Sequence, residues 1–119
     1  MEDSRLMHSM LLDFYGELLT DKQRECCELH YNEDLSLAEI AEQLGISRQG
    51  VWDNIRRADA ALAEFEDKTK LAARFTAAQR SIDRLCGKAH RLSEQCSGDA
   101  QSAALEIERE LERLKQEVP

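Results

Sequence analysis

The stretch LSLAEIAEQLGISRQGVWDNIRRA, residues 35–58, decides the fold of this chain. It predicts a first short helix, because Ser36 is followed three residues later by Glu39 in the pattern of a capping box. Gly45 stands where that helix needs a left-handed stop, a conformation that a residue without a Cβ enters at little cost. Ser47 can cap a second helix, whose apolar positions are Val51, Ile55, Ala58 and Leu62. Two amphipathic helices joined by a short turn predict a helix-turn-helix.

The composition indicates that the rest of the chain is helical too. The 119 residues include one proline, the last residue, and five glycines, so little interrupts a helix. Hydrophobic residues make up 42% of the chain and aromatic residues only 5%, which predicts a core of leucine, isoleucine, valine and alanine. No run of alternating β-branched residues indicates a strand. We therefore predict an all-α protein.

Three features predict a cytoplasmic protein. No apolar run approaches the roughly 18 residues of a membrane span. The N-terminal residues MEDSRLMHSMLLDF lack the basic leader and the small-residue cleavage site of a signal peptide. Free thiols suit a reducing compartment, and the four cysteines are Cys26, Cys27, Cys86 and Cys96.

Two helices are predicted ahead of the motif, over residues 5–18 and 21–31. The first has an apolar face with Tyr15 at its margin. The other residues of that face are Leu6, Met10, Leu11, Phe14 and Leu18. Thr20 and Gln23 form another capping box, which marks the start of the second helix. Together with the motif, these elements make a predicted helix-turn-helix domain of residues 1–66.

A helical hairpin is predicted for residues 67–119. The register slips across residues 66–70, which indicates a kink, a stutter or a short loop. A heptad pattern follows, formed by Leu71, Phe75, Ala78, Ile82, Leu85, Ala89, Leu92 and Cys96. After a break at residues 97–99, a last helix carries Ala104, Ile107, Leu111, Leu114 and Val118. Helices of about residues 70–96 and 100–118 predict an antiparallel hairpin. Its apolar stripe must pack on the N-terminal domain or on a second copy, and we favour a homodimer formed through the hairpin.

The charge distribution narrows the choice of partners. The formal net charge is −8, which opposes binding to a polyanion. Residues 47–92, however, carry ten basic and six acidic side chains, whereas residues 1–46 and 93–119 are both acidic. The only basic segment therefore begins at the second motif helix, where a nucleic-acid-binding protein needs its positive charge.

The outward face of the helix that starts at Ser47 is the candidate nucleic-acid-binding site. Helical spacing turns its outward residues away from the apolar positions, and they are Arg48, Gln49, Trp52, Asp53 and Arg56. Arg48 can reach guanine or phosphate, and Gln49 can pair with adenine. Arg56, Arg57 and the helix N-terminus at Ser47 suit phosphates.

Two residues of this face leave its role open. Asp53 is repelled by phosphates unless it accepts a hydrogen bond from cytosine. Trp52 either packs on a thymine methyl, anchors a protein partner or covers another helix of the same chain. The alternative is that the whole face is an ordinary solvated helix surface.

No catalytic, metal or cofactor site is predicted. A phosphate-binding glycine loop, a GxSxG elbow and an HExxH motif are all missing from the sequence. Adjacent Cys26 and Cys27 diverge by about 100° on a helix. Cys86 and His90 share a helix face, but Cys96 lies well beyond them, and a second ligand pair is lacking. We expect structural thiols and a protein that is not an enzyme.

A family resemblance sharpens these predictions. Residues 18–62 resemble the second DNA-binding region of bacterial sigma factors, with LSLAEIAEQLGIS followed by a helix ending in RADAAL. Including LLDFYGELLTDKQ and the long charged helices, the chain is similar to the small bacterial YlxM family, most strongly over residues 10–66. Gly50 and Trp52 depart from the pattern, because a small residue with a Cβ and a tyrosine are usual there.

The resemblance implies a helix-turn-helix regulatory protein linked to the signal recognition particle pathway, with DNA as its partner. The alternative is an accessory factor that binds the protein or the RNA of that particle. A third hypothesis is a scaffold whose only activity is helical self-association.

Overall fold

The computed structural model describes residues 2–117, and every regular element in that range is helical. The α-helices are α1 (Glu2–Tyr15), α2 (Asp21–Cys27), α3 (Leu37–Leu44), α4 (Arg48–Thr69), α5 (Leu71–Gln95) and α6 (Gly98–Glu117). A 3-10 turn, Gly16–Leu18, follows α1, and a π-helical turn, Glu28–Asn32, follows α2. The prediction of an all-α fold is confirmed. No described helix is long and apolar enough to cross a membrane.

The chain divides into two compact units after Ala72. The boundary predicted from the sequence lies after residue 66. The structure places residues 67–72 in the first unit as well. The reason is that α4 continues to Thr69 and that Ala72 is buried in the core of the first unit.

Helix α4 forms the centre of the first unit. Its apolar positions divide between two hydrophobic clusters: Val51 and Ile55 pack with Ile40 of α3, whereas Ala58 and Leu62 pack with residues of α1 and α2. Val51, Ala58 and Leu62 are completely buried. The periodicity seen in the sequence therefore marks the residues that hold the first unit together.

The buried face of α1 differs from the predicted one. Leu11, Leu12 and Tyr15 are buried, whereas Leu6 and Leu18 are 67% and 65% exposed. The prediction was wrong for Leu6 and Leu18, and it missed Leu12. Apolar residues occur nearly all round this helix, so periodicity alone did not define one face. The tighter 3-10 turn after Tyr15 then leaves Leu18 exposed and buries Leu19.

The second predicted helix, residues 21–31, is an α-helix only as far as Cys27. The π-helical turn that follows includes Tyr31, whose hydroxyl donates a hydrogen bond of 2.8 Å to Asp59 of α4. The His8 ring of α1 stacks on Tyr31 with 4.6 Å between the ring centroids. Burial, followed by the hydrogen bond to Asp59, raises the pKa of Tyr31. The π turn thus joins α1 to α4.

The register slip at residues 66–70 is a one-residue break between two helices. Lys70 adopts a left-handed conformation, with φ of 56°, and ends α4. Glu66 of α4 connects α1 with the start of α5, because its Oε1 accepts hydrogen bonds from the Tyr15 hydroxyl at 2.5 Å and from the Ala72 backbone N–H at 3.0 Å. Of the three readings of the slip, the short connection is the one observed.

Helices α5 and α6 pair in antiparallel fashion within the second unit. Gln79 donates to the backbone carbonyl of Lys115, and Gln101 donates to that of Ser93. The predicted bounds of 70–96 and 100–118 agree to within two residues, although Val118 lies outside the described residues.

Only part of the heptad is buried in this unit. Ile82 and Ala89 are buried, whereas Ala78, Leu85 and Leu92 are exposed. Ser93, which lies on the same side of α5 as Ile82 and Ala89, is only 3% exposed. Helix α6 therefore lies to one side of the predicted stripe.

His90 of α5 pairs with one carboxylate on its own helix, Glu94, and with one on α6, Glu108. Its Nε2 lies 2.8 Å from Glu94 and its Nδ1 lies 3.1 Å from Glu108. Hydrogen bonding to Glu108, aided by the charges of Glu108 and Glu94, raises the pKa of His90 above the usual 6.5. Because the folded pKa is the higher one, the stabilisation is fully present below the unfolded pKa and is lost as the pH rises through the folded pKa.

We expect the melting temperature of the chain to fall as the pH rises from about 6 through the raised pKa of His90, and we expect His90→Gln to remove part of that fall. Thermal unfolding followed by circular dichroism at several pH values checks this. His8 and His30 are present in both proteins and cancel in the comparison. Identical pH dependence of the two proteins would contradict the prediction.

Candidate nucleic-acid interface

The turn between α3 and α4 is built by the predicted caps. Ser36 Oγ accepts from the Glu39 backbone N–H at 3.1 Å, and the Glu39 side chain accepts from the Ser36 backbone N–H at 3.0 Å. These hydrogen bonds lower the pKa of Glu39. Gly45 has φ of 69°, which is the left-handed conformation that a side chain would strain. The turn is therefore set by local hydrogen bonds and one glycine.

Ser47 begins α4, and Gly50 has a steric role beside it. Ser47 Oγ accepts from the Gly50 backbone N–H at 2.9 Å. A Cβ on Gly50 would lie only 3.2 Å from that same oxygen. The absence of a side chain at Gly50 thus leaves room for the cap at the point where the helix would meet a ligand.

The structure brings the predicted site residues together on one side of α4. The exposed residues of this side, here called the α4 face, are Ser47, Arg48, Gln49, Trp52, Arg56 and Arg57, and Asp53 is partly exposed among them. Trp52 is 43% exposed, so it does not serve as a core residue. The division between this face and the buried positions of α4 follows the helical period.

Two side-chain contacts organise the α4 face. Gln49 Nε2 donates a hydrogen bond of 3.0 Å to Asp53 Oδ1. The Arg56 guanidinium lies 6.0 Å from the centroid of the Trp52 ring, which is the range of a cation–π contact. The Gln49 bond engages one oxygen of Asp53 and leaves the other as an acceptor for a donor such as the cytosine amino group.

The positive charge of this face is available to a ligand. Within residues 2–117, Arg48, Arg56 and Arg57 form no ion pair with a carboxylate. A shallow groove beside Trp52 is lined by Leu37, Ser47, Arg48 and Gln49. An unpaired guanidinium can take a phosphate or the edge of a guanine without first breaking an internal contact.

Leu37 is the residue of this region that the sequence prediction missed. It lies at the first position of α3 and lines the groove beside Trp52. The periodicity contained the signal, because Leu37 precedes Ile40 by three positions and Ala41 by four. The groove thus combines one apolar wall with polar and cationic side chains.

The cysteines occupy positions unlike those of a metal centre. Cys26 and Cys27 are fully buried, and burial, followed by the charge of Asp59, raises the pKa of Cys27 to about 12. Among residues 2–117, no group of three or more histidine, cysteine, aspartate or glutamate side chains is arranged to hold a metal. All four cysteines are free thiols.

Comparison with known proteins identifies similar chains. Residues 2–100 match the family UPF0122, described as "Putative helix-turn-helix protein, YlxM / p13 like". A UPF0122 protein of Thermoanaerobacter sp. (strain X514) is 48% identical over 85 residues, which cover 71% of this chain and 73% of that relative. A UPF0122 protein of Halalkalibacterium halodurans is 51% identical over 75 residues, or 63% of this chain and 69% of the relative. One from Clostridium kluyveri is 55% identical over 69 residues, or 58% and 62% of the two chains.

Proposed function

Because the chain belongs to the YlxM/p13-like family of helix-turn-helix proteins, we propose that it is a regulatory protein that binds DNA through α4. The observation that carries the proposal is the α4 face, on which three arginines surround Gln49 and the exposed Trp52 and have no carboxylate partner among residues 2–117. The opposite side of the same helix is completely engaged in the core. A helix held rigidly on one side and cationic on the other suits the major groove.

The proposed contacts follow from position on α4. Arg48 and Gln49 lie in the first turn, where helix-turn-helix proteins approach base edges. Arg56 and Arg57 lie two turns further on and are placed for phosphates, as are the backbone N–H groups beside Ser47. Trp52, between the two groups, would meet the methyl group of a thymine. The rest of the acidic surface then limits non-specific binding, because it repels phosphates.

Selection from sheared DNA of the source organism tests the proposal. The purified chain is incubated with the fragments at about 0.1 M salt, where phosphate contacts are still felt, and the retained DNA is sequenced. We expect enrichment of one motif, and we expect the Arg48→Glu/Arg56→Glu variant to lose it. No enrichment with the wild-type chain would overturn DNA binding through α4.

A second candidate function is favoured by Asp53. This carboxylate lies in the middle of the α4 face and opposes the approach of phosphates, while Trp52 beside it is of a type common at protein interfaces. The alternative proposal is an accessory factor that binds the protein or the RNA of the signal recognition particle. It predicts co-elution with a component of that particle at micromolar concentrations and no preferred DNA site.

We also propose that the chain acts in the cytoplasm as a homodimer and without enzymatic activity. Free thiols suit a reducing compartment. A dimer would carry two copies of α4, and dimeric helix-turn-helix proteins bind two half-sites about one DNA turn apart. The selected motif would then contain an inverted repeat.

A further inference from the structure

One apolar face of the second unit is not covered by either of its helices. Four large apolar side chains on it are about half exposed, namely Leu85 at 46%, Leu92 at 50%, Ile107 at 53% and Leu114 at 46%. Each stands one position before a residue that contacts or closely faces the opposite helix, these being Cys86, Ser93, Glu108 and Lys115. In an antiparallel pair, the same offset turns side chains toward the same side. The four residues therefore share one surface, here called the hairpin face.

The four side chains form two pairs, each with one member from either helix. The contacts of His90 with Glu108 and of Lys115 with Asp83 set the levels of α5 and α6 relative to each other. In this register Leu114 lies nearly level with Leu85, and Ile107 lies nearly level with Leu92. The two pairs are seven residues apart along each helix, which is one heptad, the repeat with which helices pack as knobs into holes.

The two borders of the hairpin face have opposite charge. The outer border on α5 carries Arg84, Lys88 and Arg91. The outer border on α6 carries Glu106, Glu110 and Glu117, with Arg113 as the one basic residue among them. In the described part of the chain, Lys88 and Arg91 have no carboxylate partner.

We propose that the hairpin face binds a second copy of this chain, with α5 of one copy packed opposite α6 of the other. A two-fold axis parallel to the helices places the basic border of each α5 beside the acidic border of the other α6. The alternative packing, α5 on α5, would place like charges together. The result is a four-helix bundle in which every neighbouring pair of helices is antiparallel.

This inference deepens the proposed homodimer and is independent of DNA binding, so its test needs no nucleic acid. Sedimentation velocity of the full-length chain over about 1–100 µM measures the dimer dissociation constant. We expect a dimer for the wild-type chain and at least a tenfold weaker one for Leu85→Lys, because a charge replaces a central apolar contact. Ser102→Lys, which adds the same side chain to an exposed position on the other side of α6, is the matched control and should leave the constant unchanged.

Charge exchange tests which helices face each other. Lys88 and Glu110 occupy equivalent border positions at nearly the same level. Lys88→Glu and Glu110→Lys should each weaken the dimer about tenfold, because two attractive contacts become repulsive. The double variant Lys88→Glu/Glu110→Lys should regain the wild-type constant, because the exchanged charges of the two copies attract each other again. Arg109→Glu, on the far side of α6, controls for the change in net charge.

Circular dichroism of each variant verifies that it has kept its helices. A wild-type chain that stays monomeric at 100 µM would overturn the proposal, as would a dimer that Leu85→Lys does not weaken. Single charge reversals without effect on a stable dimer would indicate α5 on α5 and would overturn the proposed arrangement. Failure of the DNA selection would leave this inference standing.

Discussion

A chain with both Arg48 and Arg56 replaced by glutamate should bind the selected DNA motif at least a hundredfold more weakly than the wild-type chain. Each substitution removes a cation from the α4 face and adds a carboxylate that phosphates repel. A factor of one hundred corresponds to about 2.7 kcal/mol. Two reversed contacts can account for a loss of this size, since one well-placed arginine–guanine pair alone gives about 1–3 kcal/mol of discrimination.

The fold should tolerate both substitutions. Arg48 and Arg56 are exposed, and the described contact of Arg56 is its approach to the Trp52 ring. Fluorescence anisotropy with a labelled duplex measures the dissociation constant as a function of salt concentration. We expect the salt dependence to become shallower by at least one released counterion, because the proposed phosphate contact of Arg56 is lost.

The matched control changes the net charge by the same amount at other places. Lys22 and Lys68 are exposed residues of the first unit that lie outside the α4 face, on α2 and at the end of α4. Lys22→Glu/Lys68→Glu should reduce affinity only slightly. If the two double variants lost affinity equally, the loss would be an effect of the total charge, and α4 would not be the helix that binds the DNA motif.

Leu62→Ala should destabilise the first unit by about 2–5 kcal/mol, which is the usual cost of removing a fully buried leucine side chain. Leu62 has no exposed surface and packs in the cluster formed by Leu11, Leu12 and Tyr15 of α1. The first unit has fewer than 100 residues, so its melting temperature should fall by about 10 °C or more. Trp52 is the only tryptophan and lies in this unit, so its fluorescence reports the unfolding of this part of the chain.

Leu18→Ala makes the same chemical change at a leucine that is 65% exposed. We expect the unfolding free energy of this variant to stay within about 0.5 kcal/mol of the wild type. The pair of variants also tests the buried face of α1, because the sequence pattern had placed Leu18 in the core. A large decrease in the unfolding free energy of Leu18→Ala would mean that α1 buries the face that its periodicity predicts.

The sequence of residues 35–58 was enough to predict the two motif helices, their caps and the turn between them. These features depend on hydrogen bonds and conformations within three or four residues, such as Ser36 with Glu39 and the left-handed Gly45. The buried positions of α4 were also correct, because one side of this helix is apolar and the other is charged. For the same reason the sequence separated the candidate site residues from the core residues of the same helix.

Long-range packing decided what local pattern could not. Helix α1 has apolar residues on several sides, and only the approach of α4 selects Leu12 and Tyr15 rather than Leu6 and Leu18 for burial. The end of α4 depends on Glu66, which accepts a hydrogen bond from the hydroxyl of Tyr15, a residue far away in the sequence. In the hairpin, the heptad residues lie along one stripe, but α6 covers only one side of it and leaves Leu85 and Leu92 exposed. Local hydrogen bonds can be read from neighbours in sequence, whereas the choice among several apolar faces is made by whichever helix packs against them.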